Sequence, residues 1–533
     1  MKKEFKIVFI IMILFLTLLL INNFKQDRVN GYSIFDKIEI FFTQPIGQSL
    51  DKLDGYQKET FMYFEKEGWP KETDKRFVAA SIAIDNIDDD IEKEMFIGEE
   101  QFVFNYNFSD RKFYGFDPNG ENLPGWPVVI SGGADGFVSS PALADLDNDG
   151  YKEIIATLTD TEPSRVDKIF VWKRDGSLFN DFPRFFSDPG YQGESISSPV
   201  IADLDNNGYN DIIVTYTKNV NENKGELYIF YNPGYPNSIS KPKPSPPIPI
   251  TFELVIPMNY SLIATPAVAD LDNDGNKEII IVAEALYILK SNGLISKKIP
   301  IIREYDHYTT SSPTVGDLDK DGKLEIIFSS GITSNNPLYN EIFVYEADGN
   351  IIPGWPKKIK HYSSGSPALG DLDGDGSLDI VITSCSGTVY AFNKDGNFIR
   401  GWPINMSNGE FCGGPNYLLD STPAIGDIDA DGRMEVILPS EPRDNLVYAW
   451  HGDGNLVKGW PKQKFPYEFQ SLNRLNFASP VIIDLDGDNK VEIILAMDNY
   501  IYVWTSNKDR GTIDENYDWP MFQHDVRHTG VII

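Results

Sequence analysis

Short apolar, β-branched runs recur along this chain at nearly even intervals. Ile279-Ile280-Ile281-Val282 and Ile380-Val381-Ile382 are typical. They are too short for helices and are bounded by Gly and Pro, which predicts buried strands. A Ser/Thr-Pro segment precedes each run, at Ser140-Pro141, Ser198-Pro199, Thr265-Pro266, Ser312-Pro313, Ser366-Pro367, Thr422-Pro423 and Ser479-Pro480. An aromatic stretch such as Val389-Tyr390-Ala391-Phe392 or Val447-Tyr448-Ala449-Trp450 follows it. That stretch ends in Asp348-Gly349, Asp395-Gly396 or Asp453-Gly454, which is hairpin punctuation. A fourth segment carries Gly354-Trp355-Pro356, Gly401-Trp402-Pro403 or Gly459-Trp460-Pro461. Four antiparallel strands per unit make one propeller blade. The apolar runs do not alternate with polar residues because each blade is covered by neighbours on both faces. The Trp reads as packing between blades.

The polar positions cluster between the first two strands of each unit. A nine-residue loop recurs with its first Asp at 145, 203, 270, 317, 371, 427 and 484, and repeats of this size mean a propeller, a solenoid or an array. Acids stand at positions 1, 3, 5 and 9, and Gly at 6 supplies the left-handed turn that wraps the chain round a centre. Hard oxygens in this number suit calcium, whereas zinc would want His or Cys. The indifferent residue at position 7 fits a backbone carbonyl ligand. The expected ligands are Asp145, Asp147, Asp149, Tyr151 and Glu153; Asp203, Asp205, Asn207, Tyr209 and Asp211; Asp270, Asp272, Asp274, Asn276 and Glu278; and Asp317, Asp319, Asp321, Lys323 and Glu325. Asp371, Asp373, Asp375, Ser377 and Asp379, then Asp427, Asp429, Asp431, Arg433 and Glu435, then Asp484, Asp486, Asp488, Lys490 and Glu492 complete the set. About seven Ca2+ sites are implied. An EF-hand is rejected, because it needs Glu at position 12 between helices and position 12 is apolar here.

A degenerate unit begins near residue 77. It offers Ala83-Ile84-Asp85, then Asp88, Asp90 and Glu94, read as the same loop with one residue inserted. Ile91 stands where Gly belongs, so an empty or weak site is expected. Asn207 at position 5 and Asn489 at position 6 are milder departures. The fold class is therefore all-β: a β-propeller of eight four-stranded blades, with seven as the alternative, behind an N-terminal hydrophobic helix.

These loops and strands resemble the FG-GAP/VCBS repeats, the calcium-binding blades of the integrin alpha-subunit head and of many microbial surface proteins. The resemblance covers about residues 77–533. The closing Trp519-Pro520-Met521-Phe522-Gln523-His524-Asp525 with His528-Thr529-Gly530 is similar to a C-terminal signature of bacterial and archaeal members. It implies an extracellular or cell-surface calcium-binding propeller that serves adhesion or protein and glycan recognition. Some polysaccharide lyases share the form, so a calcium-dependent lyase is one alternative and a structural envelope subunit another. A lyase for acidic glycans should cluster Lys and Arg on one face, and the basic residues here look dispersed. No Gly-x-Ser-x-Gly, phosphate loop, His-Glu-x-x-His or redox Cys pair is present, so no catalytic residue is assigned.

The net charge of −32 argues against electrostatic binding of nucleic acid or anionic lipid. The seven loops hold 27 of the 79 acids, so much of the excess charge lies where cations would neutralise it. Residues 1–24 read as a signal peptide or signal anchor: Lys2, Lys3 and Lys6 precede an apolar run from Ile7 to Ile21. An uncleaved anchor is favoured, with cleaved secretion as the alternative, and the membrane is reached only through this segment. Residues 25–76 read as a stalk or docking segment, in which Gly68-Trp69-Pro70 echoes the later motif.

Antiparallel geometry places the acidic loops and the third-to-fourth-strand turns on one face. The irregular loops fall on the other, which is where a rigid scaffold usually carries binding. Tyr191, Tyr305, His307, Tyr308, Tyr362 and Tyr417 are candidate contacts for a protein or glycan ligand there. Cys385 and Cys412 lie in loops of this face and are candidates for a disulfide. The Pro-rich stretch 241–249 is expected as an outer loop, since it cannot pair as an inner strand. His524 and His528 have a zinc-like spacing, but packing at the closing strand is the favoured role.

Overall fold

The computed structural model describes most of residues 63–532. The stretches 100–109, 187–194, 235–251, 407–420, 464–477 and 508–518, with shorter loop positions, lie outside it, as do residues 1–62. The hydrophobic N-terminal segment and the Pro-rich stretch therefore fall outside the described residues. Among those residues there is no helix, and none long and apolar enough to cross a membrane.

The strands form eight sheets of the predicted kind, eight blades and not seven. Blade 1 runs Ala83–Asp85, Glu94–Gly98, Arg111–Phe116 and Val128–Ile130 from inside to outside. The inner strands of blades 2 to 8 are Ala142–Ala144, Val200–Ala202, Ala267–Ala269, Thr314–Gly316, Ala368–Gly370, Ala424–Gly426 and Val481–Ile483. The second strands, such as Glu153–Leu158 and Asp379–Ser384, are buried along their whole length. Their apolar residues pack on both sides: one buried cluster joins Ile327 and Val344 of blade 5, Ile380 and Val381 of blade 6, and Val436 and Trp450 of blade 7.

Blade 8 is assembled from distant parts of the chain. Glu492–Ser506 folds back on itself, with the Ser506 N–H donating to Val491 O at 3.2 Å. Tyr63–Glu65 then pairs antiparallel with Trp504, Thr505 and Ser506 as the outer strand. Gly68-Trp69-Pro70 thus stands where blades 1, 5, 6 and 7 carry their own Gly-Trp-Pro.

Two recurrent motifs lock neighbouring blades. The N–H of the Ser or Thr that opens a blade donates to the hydroxyl of the next in blades other than the third: Ser140 to Ser198 (3.0 Å), Thr265 to Ser312 (3.1 Å), Ser312 to Ser366 (3.1 Å), Ser366 to Thr422 (3.2 Å) and Thr422 to Ser479 (3.1 Å). Ser479 donates to Ser81 and Ser81 to Ser140, each at 2.9 Å, which carries the chain of bonds across the closure. The Gly-Trp-Pro indoles do the same further out. Trp69 donates to Pro118 O, Trp126 to Arg174 O, Trp355 to Lys394 O and Trp402 to Gly452 O, each in the following blade, at 2.8–3.0 Å. Gly401 has no room for a side chain, since a Cβ there would sit 1.8 Å from Asp453 O.

The segment after the last blade runs back through the centre. Its backbone meets the inner strands at Ile425, Ile482, Leu143, Ile201, Val268 and Val315, in six of the eight blades. Val531–Ile532 ends as a parallel strand beside Thr314–Gly316. His528 is buried here, with Nδ1 2.9 Å from Pro199 O, and His524 lies against Trp519. Gln523, His524 and His528 have positive φ, so the helical spacing that would suit zinc is not formed.

Candidate metal centres

Each acidic loop turns on two left-handed residues, at positions 4 and 6. Asn148, Asn206, Asn273, Lys320 and Ala430 take position 4 with φ between 55° and 60°. At position 6 a Cβ would meet nothing within 4 Å of Gly150, Gly208, Gly275, Gly322 or Gly432. Backbone conformation, not space, selects Gly there. Asn489 accepts φ 62° in blade 8, as Asn can.

The carboxylates tie the loop down and converge. The position 1 carboxylate accepts from the position 6 N–H, as Asp145 does from Gly150 (2.8 Å) and Asp427 from Gly432 (3.0 Å). The position 9 acid is buried beneath the loop and accepts from the position 2 N–H in every blade. Glu153 with Leu146 (2.9 Å), Asp211 with Leu204 (2.9 Å), Asp379 with Leu372 (3.0 Å) and Glu492 with Leu485 (2.9 Å) are examples. Oxygens of Asp145, Asp147 and Glu153 lie within 4.8 Å of one another, as do those of Asp203, Asp205 and Asp211, and of Asp270, Asp272 and Glu278. Beside the last group a cavity of about 250 Å3 opens between the loop and the turn at Lys290, Ser291 and Asn292, which puts loops and turns on one face.

This donor set fits a hard divalent cation. Burial, with repulsion from the neighbouring loop acids, pushes Glu153, Glu325 and Asp379 up to about 8, and Glu94, Asp211 and Glu435 up to about 7. Several carboxylates gathered at low exposure lack enough positive charge of their own, which a bound cation would supply.

Three features escaped the sequence reading. Blade 1 has no insertion: Asp85 pairs with Glu94 as Ala144 does with Glu153, so Asn86 takes position 1 and the spacing to Asp88, Asp90 and Glu94 is regular. Asp85 belongs to the strand and forms an ion pair with Lys152 of the next blade. The three carboxylates of this loop still converge within 4.8 Å, even with Ile91 at position 6. In blade 7, His451 joins Asp429 and Asp431 within the same limit, and its Nδ1 lies 2.9 Å from Glu435 Oε1. That hydrogen bond raises the His451 pKa against the opposing effect of burial. In blade 8, Lys66 reaches in from the outer strand, with Nζ 2.5 Å from Asp486 Oδ2 and 3.5 Å from Glu492 Oε1. Burial alone would lower its pKa, but the bond to Asp486 and the charges of Glu492 and Asp488 raise it.

The opposite face is only partly described. Tyr191, Tyr305, Tyr362 and Tyr417 lie outside the described residues. His307–Tyr308 pairs with Ile332–Thr333 as a small separate sheet. Cys385, fully buried, is disulfide-bonded, and Cys412, the only other cysteine of the chain, lies outside the described residues.

The profile of the FG-GAP-like repeat matches residues 270–328, 371–438 and 427–495. Comparison with curated proteins by sequence returns no match. Among solved structures the chain is similar to the V. cholerae biofilm matrix protein Bap1, at 13% identity and a TM-score of 0.55, covering 86% of this chain and 94% of that one. It is also similar to rhamnogalacturonan lyase YesW, at 15% identity and a TM-score of 0.51, covering 88% and 76%. At these identities the likeness is one of fold.

Proposed function

For a propeller built of FG-GAP-like repeats, we propose calcium loading of the acidic loops and binding of a protein or glycan through the face opposite them, outside the cell or on its surface. The carrying observation is the repeated convergence of three carboxylates around one centre on a single face. Positions 1, 3, 5 and 9 of a loaded loop would hold the ion, and the ion would supply charge neutralisation and rigidity. The disulfide at Cys385 accords with an oxidising compartment. With the axis taken up by the chain's own segment 519–532, a partner would meet loops and not a channel. Bap1, by its description a biofilm matrix protein, accords with a surface role.

The reading is of a binder and not an enzyme, and YesW makes turnover the contrary outcome to look for. Full-length protein is presented to glycan arrays and surface extracts in calcium and in EDTA. Calcium-dependent capture that is lost when residues 220–223, 334–338 and 406–420, with Cys412 kept, are replaced by Ala supports the proposal. Capture that survives all three replacements, or cleavage of an acidic polysaccharide, removes it.

A further inference from the structure

The acidic loop of blade 8 has the same sequence pattern as the others but a different electrostatic setting. Its position 3 and position 9 carboxylates, Asp486 and Glu492, both face the Lys66 ammonium, at 2.5 and 3.5 Å. Asp488 pairs with Lys490, and Lys93 of blade 1 donates to Asp484 O at 2.5 Å. The Lys66 side chain is only 12% exposed and that of Glu492 is fully buried, so solvent screens this contact poorly. In blade 5 a lysine also meets a loop acid, but at the rim, where Lys323 pairs with Asp321.

Lys66 is held in place by its own backbone. Its N–H donates to Val503 O at 2.9 Å, directly after the outer strand Tyr63–Glu65. Tyr63 OH reaches Ile428 O at 2.9 Å in blade 7, and Trp69 Nε1 reaches Pro118 O in blade 1. The segment therefore bridges three blades and delivers one fixed positive charge into the loop of the middle one. A divalent ion and an ammonium cannot share the same carboxylate oxygens, because each needs them at contact distance and like charges repel.

We propose that the blade 8 loop is not a metal site: the Lys66 ammonium stands in the cation's place and makes closure of the ring independent of metal. This rests on the calcium reading of the other loops. The departure of Asn489 from Gly at position 6 belongs to the same blade, yet its left-handed φ keeps the loop shape, so the lysine and not the turn excludes the ion.

The test counts calcium by equilibrium dialysis of the full chain. Lys66→Met should bind one calcium more than wild type, and Lys66→Arg should not. Because Lys66→Met could unfold the outer strand, the wild-type lysine is tested from the other side as well. Asp147→Asn in blade 2 should remove one calcium, whereas Asp486→Asn should leave the count unchanged. Loss of one calcium in Asp486→Asn, or an unchanged count in a folded Lys66→Met, overturns the inference and leaves the reading of the other loops standing. A wild-type protein that binds no calcium removes both.

Discussion

Blades 2 and 8 carry near-copies of one loop, Asp145 to Glu153 and Asp484 to Glu492, yet they meet different electrostatic problems. In blade 2, Glu153 is 3% exposed beside Asp145 and Asp147, and its pKa is pushed up to about 8. In blade 8, Glu492 is equally buried and burial raises its pKa too, but the bond it accepts from Thr505 Oγ1 at 2.6 Å and the charge of Lys66 oppose that rise. The nine-residue pattern fixes where the oxygens point. What neutralises them depends on a residue 420 positions away in the chain. A repeat motif is thus a statement about geometry, and charge balance has to be read from the neighbours.

The largest expected effect is removal of calcium. If six or more loops bind it, each at tenfold its dissociation constant, stripping loses about 1.4 kcal/mol per site, and the melting temperature should fall by roughly 10 °C. A melting curve unchanged by EDTA would erase the contrast between the blades. Next is the paired substitution of the position 9 acids, followed by urea unfolding in chelator above pH 7.5. Glu492→Gln should destabilise by on the order of 2 kcal/mol, because Lys66 loses a charged partner. Glu153→Gln should be neutral or stabilising there, because it deletes an uncompensated buried charge. Equal losses would show that both loops depend on their acids in the same way.

The pH dependence is subtler. Glu153, Glu325 and Asp379 have folded pKa values near 8, above those of the unfolded chain. Stripped protein should therefore lose stability as pH rises from about 4, the unfolded range, to about 8, and calcium binding should release protons within that window, measurable by calorimetry in buffers of different ionisation enthalpy. His528 acts oppositely: burial lowers it to about 4, so its own contribution is lost as pH drops from 6.5 toward 4, one group set against the three acids. A stripped protein whose stability does not fall between pH 6.5 and 8 would contradict the charge picture. The smallest effect is Ala430→Gly. Ala430 holds φ 59°, and relief of that conformation should outweigh the entropy Gly adds to the unfolded chain by about 0.5 kcal/mol.

Sequence reasoning reached the blade count, the strand order within a blade and the convergence of the loop acids, because all three are local. Spacing of Ser/Thr-Pro, acidic loop and Gly-Trp-Pro reports each blade from a few dozen neighbouring residues. The ring of Ser and Thr hydroxyls left a trace as well, but its purpose is visible only once blades stand side by side. Lys66 and His451 left none: a lone Lys or His has no signature until the fold brings it to a carboxylate. The offset in blade 1 was misjudged because Asp85 looked like the first acid, whereas strand register assigns that place to Asn86.

The thread of residues 519–532 carries a consequence for how the protein is made. It lies C-terminal to every blade and still bonds to the innermost strands of six of them. A ribosome will have delivered all eight sheets before the piece that seals their hub emerges. Interrupted translation would leave an open ring with bare inner edges, the kind of product that proteolysis removes.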